Sequence, residues 1–251
     1  MSFKDWIFSS YPNPSINGRW GLLHILVLLL CIGIVVALSL TMKKKNSKAK
    51  KMVLWVFAAL ILLFEITRRI VNFAKADSFT FNSVMHILLP RPWCAISCWA
   101  LMLCVVANKK FLYNFTSITA LLCTVVFFAY PGVGFNNKYI LFENLYSIAT
   151  HSLAFCMSLL IITLGFAKFE IKNCWKEALC FLGLLCYVLL EIFVLKIEDD
   201  PMYFMPGNDI VEILNIGYGW FVFLYILVLL VYFACFYLIG DRKTIFRKKE
   251  N

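Results

Sequence analysis

Seven stretches of this chain are each long and apolar enough to cross a bilayer, and that leaves few folds open. A crossing helix needs about 20 mainly apolar residues. The stretches are Trp20–Thr41, Met52–Ala74, Val84–Ala107, Phe111–Tyr130, Glu143–Ala167, Lys176–Leu195 and Gly217–Gly240. In hydrocarbon every backbone N–H and C=O must be paired within the protein, which favours helices for runs of this length. The connections are short, so consecutive helices are antiparallel neighbours. The expected fold is all-α: a single transmembrane domain over residues 1–251, folded as a seven-transmembrane-helix bundle. Composition agrees, with 62% hydrophobic and 15% charged residues against about a quarter charged in a soluble domain. An ordinary globular enzyme, a disordered tail and a secreted disulfide scaffold are all excluded.

A net charge of +10 would suggest nucleic acid in a soluble protein. Here its distribution gives another meaning. Lys43, Lys44, Lys45, Lys48, Lys50 and Lys51 follow the first span, Lys109 and Lys110 the third, and Lys168, Lys172 and Lys176 the fifth. The tail adds Arg242, Lys243, Arg247, Lys248 and Lys249, whereas the opposite side holds Lys4, Arg19, Lys75, Arg91, Lys138 and Lys196. Basic residues are retained on the cytoplasmic side, which predicts an N-terminus outside, a C-terminus inside and a multi-pass protein of the cell membrane. The partner expected is membrane lipid, not nucleic acid. The first span is expected to stay as a helix, because Met1–Arg19 is not strongly basic and no small-residue cleavage pattern follows.

Ionisable groups inside a bilayer are costly and need a partner, an aqueous cavity or a function. In the second span Glu65, Arg68, Arg69 and Asn72 fall three or four residues apart, so Glu65 can face both arginines and Asn72 continues the stripe. One reading is a polar seam that fixes helix packing. The other is a clamp for a lipid phosphate or carboxylate, since guanidinium presents forked donors. In the fifth span Asn144, Ser147 and His151 share one helical face, and Glu191 stands in the sixth as a partner for one of the arginines.

Cys94 follows Leu89-Pro90-Arg91-Pro92-Trp93, and proline at 92 suits the first turn of a helix. Unpaired amides and the helix dipole there favour a thiolate, and Arg91 adds positive charge nearby, whereas burial in hydrocarbon favours the thiol; spacing alone does not choose between them. The other cysteines in the spans, Cys31, Cys98, Cys104, Cys123, Cys156, Cys180, Cys186 and Cys235, read as small apolar side chains. No His/Cys cluster has zinc spacing, so no metal and no cofactor is expected. At 1.5 Å per residue, Cys94 and His151 lie roughly 12 Å below the starts of their spans. Glu65–Asn72, Glu191, Asn215 and Tyr218 come to the same outer level, while the inner halves are nearly bare of ionisable groups. That asymmetry is what a polar pocket facing the outer leaflet produces.

The run Leu88-Leu89-Pro90-Arg91-Pro92-Trp93-Cys94-Ala95-Ile96-Ser97 resembles the Leu-Pro-x-x-x-Cys-x-x-Ser segment of the YwaF-type bacterial integral membrane proteins. The similarity continues in Tyr130-Pro131 with Leu145-Tyr146-Ser147-Ile148-Ala149-Thr150-His151, and in Pro201-Met202-Tyr203-Phe204 with Gly217-Tyr218-Gly219-Trp220-Phe221. The family is distantly similar to a eukaryotic membrane phospholipid acyltransferase that relies on a Cys and a His. By position the resemblance implies a catalytic pair of Cys94 and His151.

Two functions follow as expectations. In the first, Cys94 attacks a phospholipid ester with His151 as general base, Arg68 or Arg69 holds the phosphate, Glu65 orients an arginine or the histidine, and Asn72 and Tyr218 complete the substrate pocket. In the second, the same pocket binds or transports a small solute or lipid without catalysis. The acidic stretch Glu198-Asp199-Asp200, with Asp209 and Glu212, reads as solvated surface.

Overall fold

The computed structural model describes residues 3–8, 20–91, 93–129, 134–135, 140–196 and 215–241. Arg19, Pro92, Tyr130-Pro131, Lys138, the segment 197–214 and the basic tail from Arg242 lie outside the described residues. All regular structure described is helical. After a short α1 (Phe3–Phe8) come α2 (Leu22–Met42), α3 (Ser47–Lys75), α4 (Phe81–Leu88), α5 (Trp93–Ala107), α6 (Lys110–Ala129) and α7 (Phe142–Thr163). A 3₁₀ turn at Ile171–Asn173 leads into α8 (Cys174–Leu189), which ends in a π-helical turn, Leu190–Val194, and α9 (Tyr218–Gly240) follows.

Each expected span has a helix at its place, but two differ in kind. Among the described residues five helices are long and apolar enough to cross a membrane: α2, α6, α7, the Ile171–Val194 run and α9. A sixth is counted if α4 and α5 form one span bent by 57°. The break falls at Leu89-Pro90-Arg91-Pro92, where proline removes N–H donors and clashes with the preceding turn. The remaining expected span, α3, has the length at 29 residues but carries Glu65, Arg68 and Arg69. It also begins earlier than expected. Asn46 caps it by accepting from the Ala49 amide at 2.8 Å, which draws Lys48, Lys50 and Lys51 out of the loop and into the helix.

The bundle is built around α7, which packs against α2, α3, α5 and α6. Its buried residues run almost continuously from Asn144 to Ile161, and α6 is buried without interruption from Tyr113 to Leu121. Thr116, Thr119 and Thr124 of α6 return their hydroxyls to the carbonyls of Leu112, Phe115 and Ala120 at 2.7–2.9 Å. No hydroxyl of that helix is therefore left to an apolar neighbour. At the rim, α2 buries only His24, Cys31 and Val35, and α9 only Phe221 and Tyr237. Their outer faces are leucine, isoleucine and valine, suited to hydrocarbon.

The end of the bundle where α3 begins is tied by a buried amide. Asn114 donates to the Lys168 carbonyl at 2.8 Å and to Glu177 Oε1 at 2.7 Å, and accepts from the Lys168 amide at 2.7 Å. Glu177 is only 3% exposed. This departs from the expectation that the half of the spans away from the Glu65 cluster is nearly bare of ionisable groups. Glu177 stands at the very start of the expected sixth span, beside Lys176, where a carboxylate is expected to meet water, yet the helix buries it. Asn114→Ala strips three hydrogen bonds, one of them from the buried Glu177, and should cost about 1–3 kcal/mol, the penalty for a buried group left unpaired. The expected reading is a lower melting temperature of the detergent-solubilised protein.

Candidate functional site

Breaking a helix inside an apolar bundle frees carbonyl groups, and at the α4–α5 break two of them are taken up by arginines. The Leu88 carbonyl would normally accept from the amide of residue 92, which is a proline and has none. Arg69 Nε donates to it instead, at 3.1 Å. The Arg91 carbonyl lies outside α5 and takes both Nη atoms of Arg68, at 3.3 and 3.4 Å. Two adjacent arginines on α3 thus satisfy two orphaned acceptors on the facing chain.

Arg69 is a buried charge and Arg68 a half-buried one, and Glu65 is the counterweight to Arg69. It is fully buried and sits one turn before Arg69. Glu65 Oε2 accepts from Arg69 Nη1 and, at 3.0 Å, from the indole N–H of Trp99 on α5. Its Oε1 accepts from the hydroxyl of Tyr146 on α7. One carboxylate therefore joins α3, α5 and α7. The same aromatic residues also face the cations, with Arg69 Cζ 5.0 Å from the centre of the Trp99 ring and Arg68 Cζ 5.2 Å from that of Tyr146. Glu65 pairs with Arg69 alone, not with both arginines as its spacing allowed, because Arg68 turns to the helix break.

Cys94 is the second residue of α5, at the helix start expected from Pro92. Its half-buried thiol interacts with Cys123 of α6 and His151 of α7, and the charge that reaches it is that of Arg68. Arg91, expected to supply that charge, instead acts on Tyr187 and Glu191 of the sixth helical run. Glu191 is fully buried in the π-helical turn and accepts from Tyr187 at 2.8 Å.

His151 Nδ1 lies 2.7 Å from the Ser147 carbonyl, one turn earlier on α7. A carbonyl only accepts, so Nδ1 carries a proton, and Nε2 is the ring nitrogen left to act as a base. The imidazole stacks on Phe127 with centroids 3.8 Å apart and planes 12° from parallel. Gly134 keeps room for that stack, since a β-carbon there would meet Phe127 Cζ at 2.8 Å and Ile148 Cγ1 at 3.1 Å. The expected face of Asn144, Ser147 and His151 is used through mixed groups. Asn144 accepts the Leu141 amide with its side chain, whereas Ser147 serves through its carbonyl.

Arg68, Arg69, Glu65, Cys94 and His151 thus come together at one end of the bundle. Asn72 is half-buried one turn beyond Arg69, and no described hydrogen bond brings it into the network. Tyr218 opens α9, 36% exposed and stacked on Phe221. Trp99, Tyr146 and Cys123 belong to the site without having been singled out. A tryptophan or tyrosine within a span needs an acceptor for its polar tip, and that was the available signal for the first two. His24 is a further buried group, packed among Trp20, Phe128 and Phe135.

Removing the carboxylate leaves a buried guanidinium unpaired, so Glu65→Leu should destabilise the protein by about 3–5 kcal/mol. The Glu65→Leu/Arg69→Leu pair should cost less than the two singles together, because it strands no charge. Denaturant unfolding of the three variants reads both outcomes.

The TMEM164 family model matches residues 18–239. A search of curated proteins and of solved structures returned no match. The matched stretch contains α2 to α8 and all but the last residue of α9, and so every helix that builds the site. With apolar helices long enough to cross a membrane and a family match over most of its length, the chain is a multi-pass membrane protein and belongs to the TMEM164 family.

Proposed function

We propose that this protein resides in the cell membrane, N-terminus outside and C-terminus cytoplasmic, and transfers acyl groups between phospholipids through Cys94 and His151. The observation that carries the reading is the pairing itself. Residues 57 positions apart in sequence meet at one end of the bundle, and the Nδ1 hydrogen bond to Ser147 leaves Nε2 as the nitrogen able to take a proton. The resemblance to YwaF-type proteins and their distant acyltransferase relative supports the same pair.

The reaction runs in two steps. His151 accepts the thiol proton, and the Cys94 sulfur attacks the ester carbonyl carbon of a phospholipid. The tetrahedral intermediate collapses by breaking the C–O bond to the glycerol oxygen. That oxygen takes the proton from His151 and departs as lysophospholipid, leaving an acyl-thioester. An acceptor lysolipid hydroxyl then loses its proton to His151 and attacks the thioester carbonyl. The C–S bond breaks, and the proton returns to sulfur. Arg68 supplies positive charge beside the reacting sulfur, while Arg68 Nε and Arg69 Nη2 are buried donors without a hydrogen-bond partner, suited to a lipid phosphate. Glu65 acts by fixing Arg69 and, through Tyr146 and Trp99, the helices that carry the pair.

In nanodiscs holding a labelled phospholipid and an unlabelled lysophospholipid, the intact chain should exchange acyl groups. Cys94→Ala should abolish exchange, and His151→Ala should slow it about 10²–10⁴-fold. Lipid binding retained alongside exchange equal in all three proteins, or absent from all three, would favour the binding or transport reading. A protease-sensitive tag after Asn251 should resist digestion in intact cells, and one before Met1 should be cut. The reverse pattern overturns the orientation.

A further inference from the structure

Cys94 has a second thiol beside it. Cys123, in the C-terminal half of α6, is in side-chain contact with Cys94 across the α5–α6 packing. Both thiols are half-buried, whereas Cys98, one turn beyond Cys94, is 2% exposed. The chain contains a contrasting pair. Cys31 of α2 and Cys156 of α7 also touch, and Cys156 Sγ lies 3.7 Å from the Cys31 carbonyl, but both are sealed in the core. The first pair alone combines proximity with a neighbouring cation and a neighbouring imidazole. Those are the features that make one cysteine attack and a second resolve.

We propose that Cys94 and Cys123 form a reversible disulfide when the protein meets a hydroperoxide, with Cys94 as the attacking sulfur and Cys123 as the resolving one. In the first step the Cys94 sulfur attacks the terminal oxygen of ROOH. The O–O bond breaks, the thiol proton passes by way of His151 to the departing alkoxide, and ROH and a Cys94 sulfenic acid result. The sulfur of Cys123 then attacks the sulfur of Cys94. The S–O bond breaks, hydroxide leaves with the Cys123 proton as water, and the S–S bond forms. In sum two thiols and ROOH give a disulfide, ROH and water, so the two electrons come from the sulfurs and the peroxide is reduced. The disulfide withholds Cys94 from any thioester, which makes the pair an off-switch for the chemistry proposed above. Its formation requires no lipid ester and stands independently of that proposal.

The test treats the full-length protein in nanodiscs with hydrogen peroxide, blocks remaining thiols, and reads peptides by non-reducing mass spectrometry. The expected result is a Cys94–Cys123 peptide as the main linkage, with Cys31 and Cys156 unlinked. Labelling of Cys94 by a maleimide should fall more than tenfold and return on phosphine reduction. In Cys123→Ser, and in Cys123→Ala as a second variant, sulfenic acid at Cys94 trapped by dimedone should rise several-fold. Labelling should then fail to return after prolonged exposure. A linkage from Cys94 to Cys98, equal trapping in the parent and both variants, or Cys94 left reduced would overturn the proposal. The wild-type linkage is informative even if both variants misfold. A protein that forms the disulfide but exchanges no acyl groups sinks the acyl-transfer reading and spares this one, whereas acyl exchange undiminished by the disulfide removes the off-switch.

Discussion

A carboxylate with three donors from three directions holds this end of the protein together. Glu65 takes Arg69 from its own helix, Trp99 from α5 and the Tyr146 hydroxyl from α7, and no water-facing surface shares the load. Isolated, such a charge would be expelled from an apolar interior at a cost of several kcal/mol (about that after relaxation). Satisfied, it fixes the mutual rotation of helices that otherwise present each other with interchangeable apolar side chains. The arginines extend the same logic to the backbone. A proline-broken helix survives among apolar neighbours because Arg68 and Arg69 accept the bonding duties that Pro92 and the turn leave open.

The break in turn decides where the cysteine goes. A continuous helix through residues 84–107 would carry Cys94 in its middle, with its amides all spent on the preceding turn. Restarting the helix at Trp93 puts the thiol in a first turn with free amides, at the level where α7 runs past with His151. The polar seam of α3 and the placement of Cys94 beside His151, read from separate stretches of the sequence, are therefore one construction. The seam is what makes the placement of the pair affordable.

Much of this was legible in the chain. The apolar runs located every long helix, since runs of about 20 residues have no other solution. The i, i+4 relation of Glu65 and Arg69, the helix start before Cys94 and the common face of Ser147 and His151 follow from periodicity alone. Periodicity gives depth, however, and not rotation about the helix axis. Tyr218 lies at the right level, but α9 carries no polar stripe to show which way it turns, and it points its first turn outward. Cys123 was hidden by its own chemistry, because a thiol in an apolar run looks like any small hydrophobe until a second one faces it. Glu177 was hidden by its place at the very start of the expected span, where a carboxylate is expected to meet water.

The fit of Phe127 between His151 and Gly134 has a consequence for how damage travels. The imidazole owes its attitude to a flat ring, and that ring owes its clearance to the lack of a side chain across from it. A single added methyl group at residue 134 would press on the phenyl edge and disturb the surface on which the imidazole rests. The attitude of a side chain deep among the helices is thus hostage to bulk at a position that touches neither His151 nor Cys94.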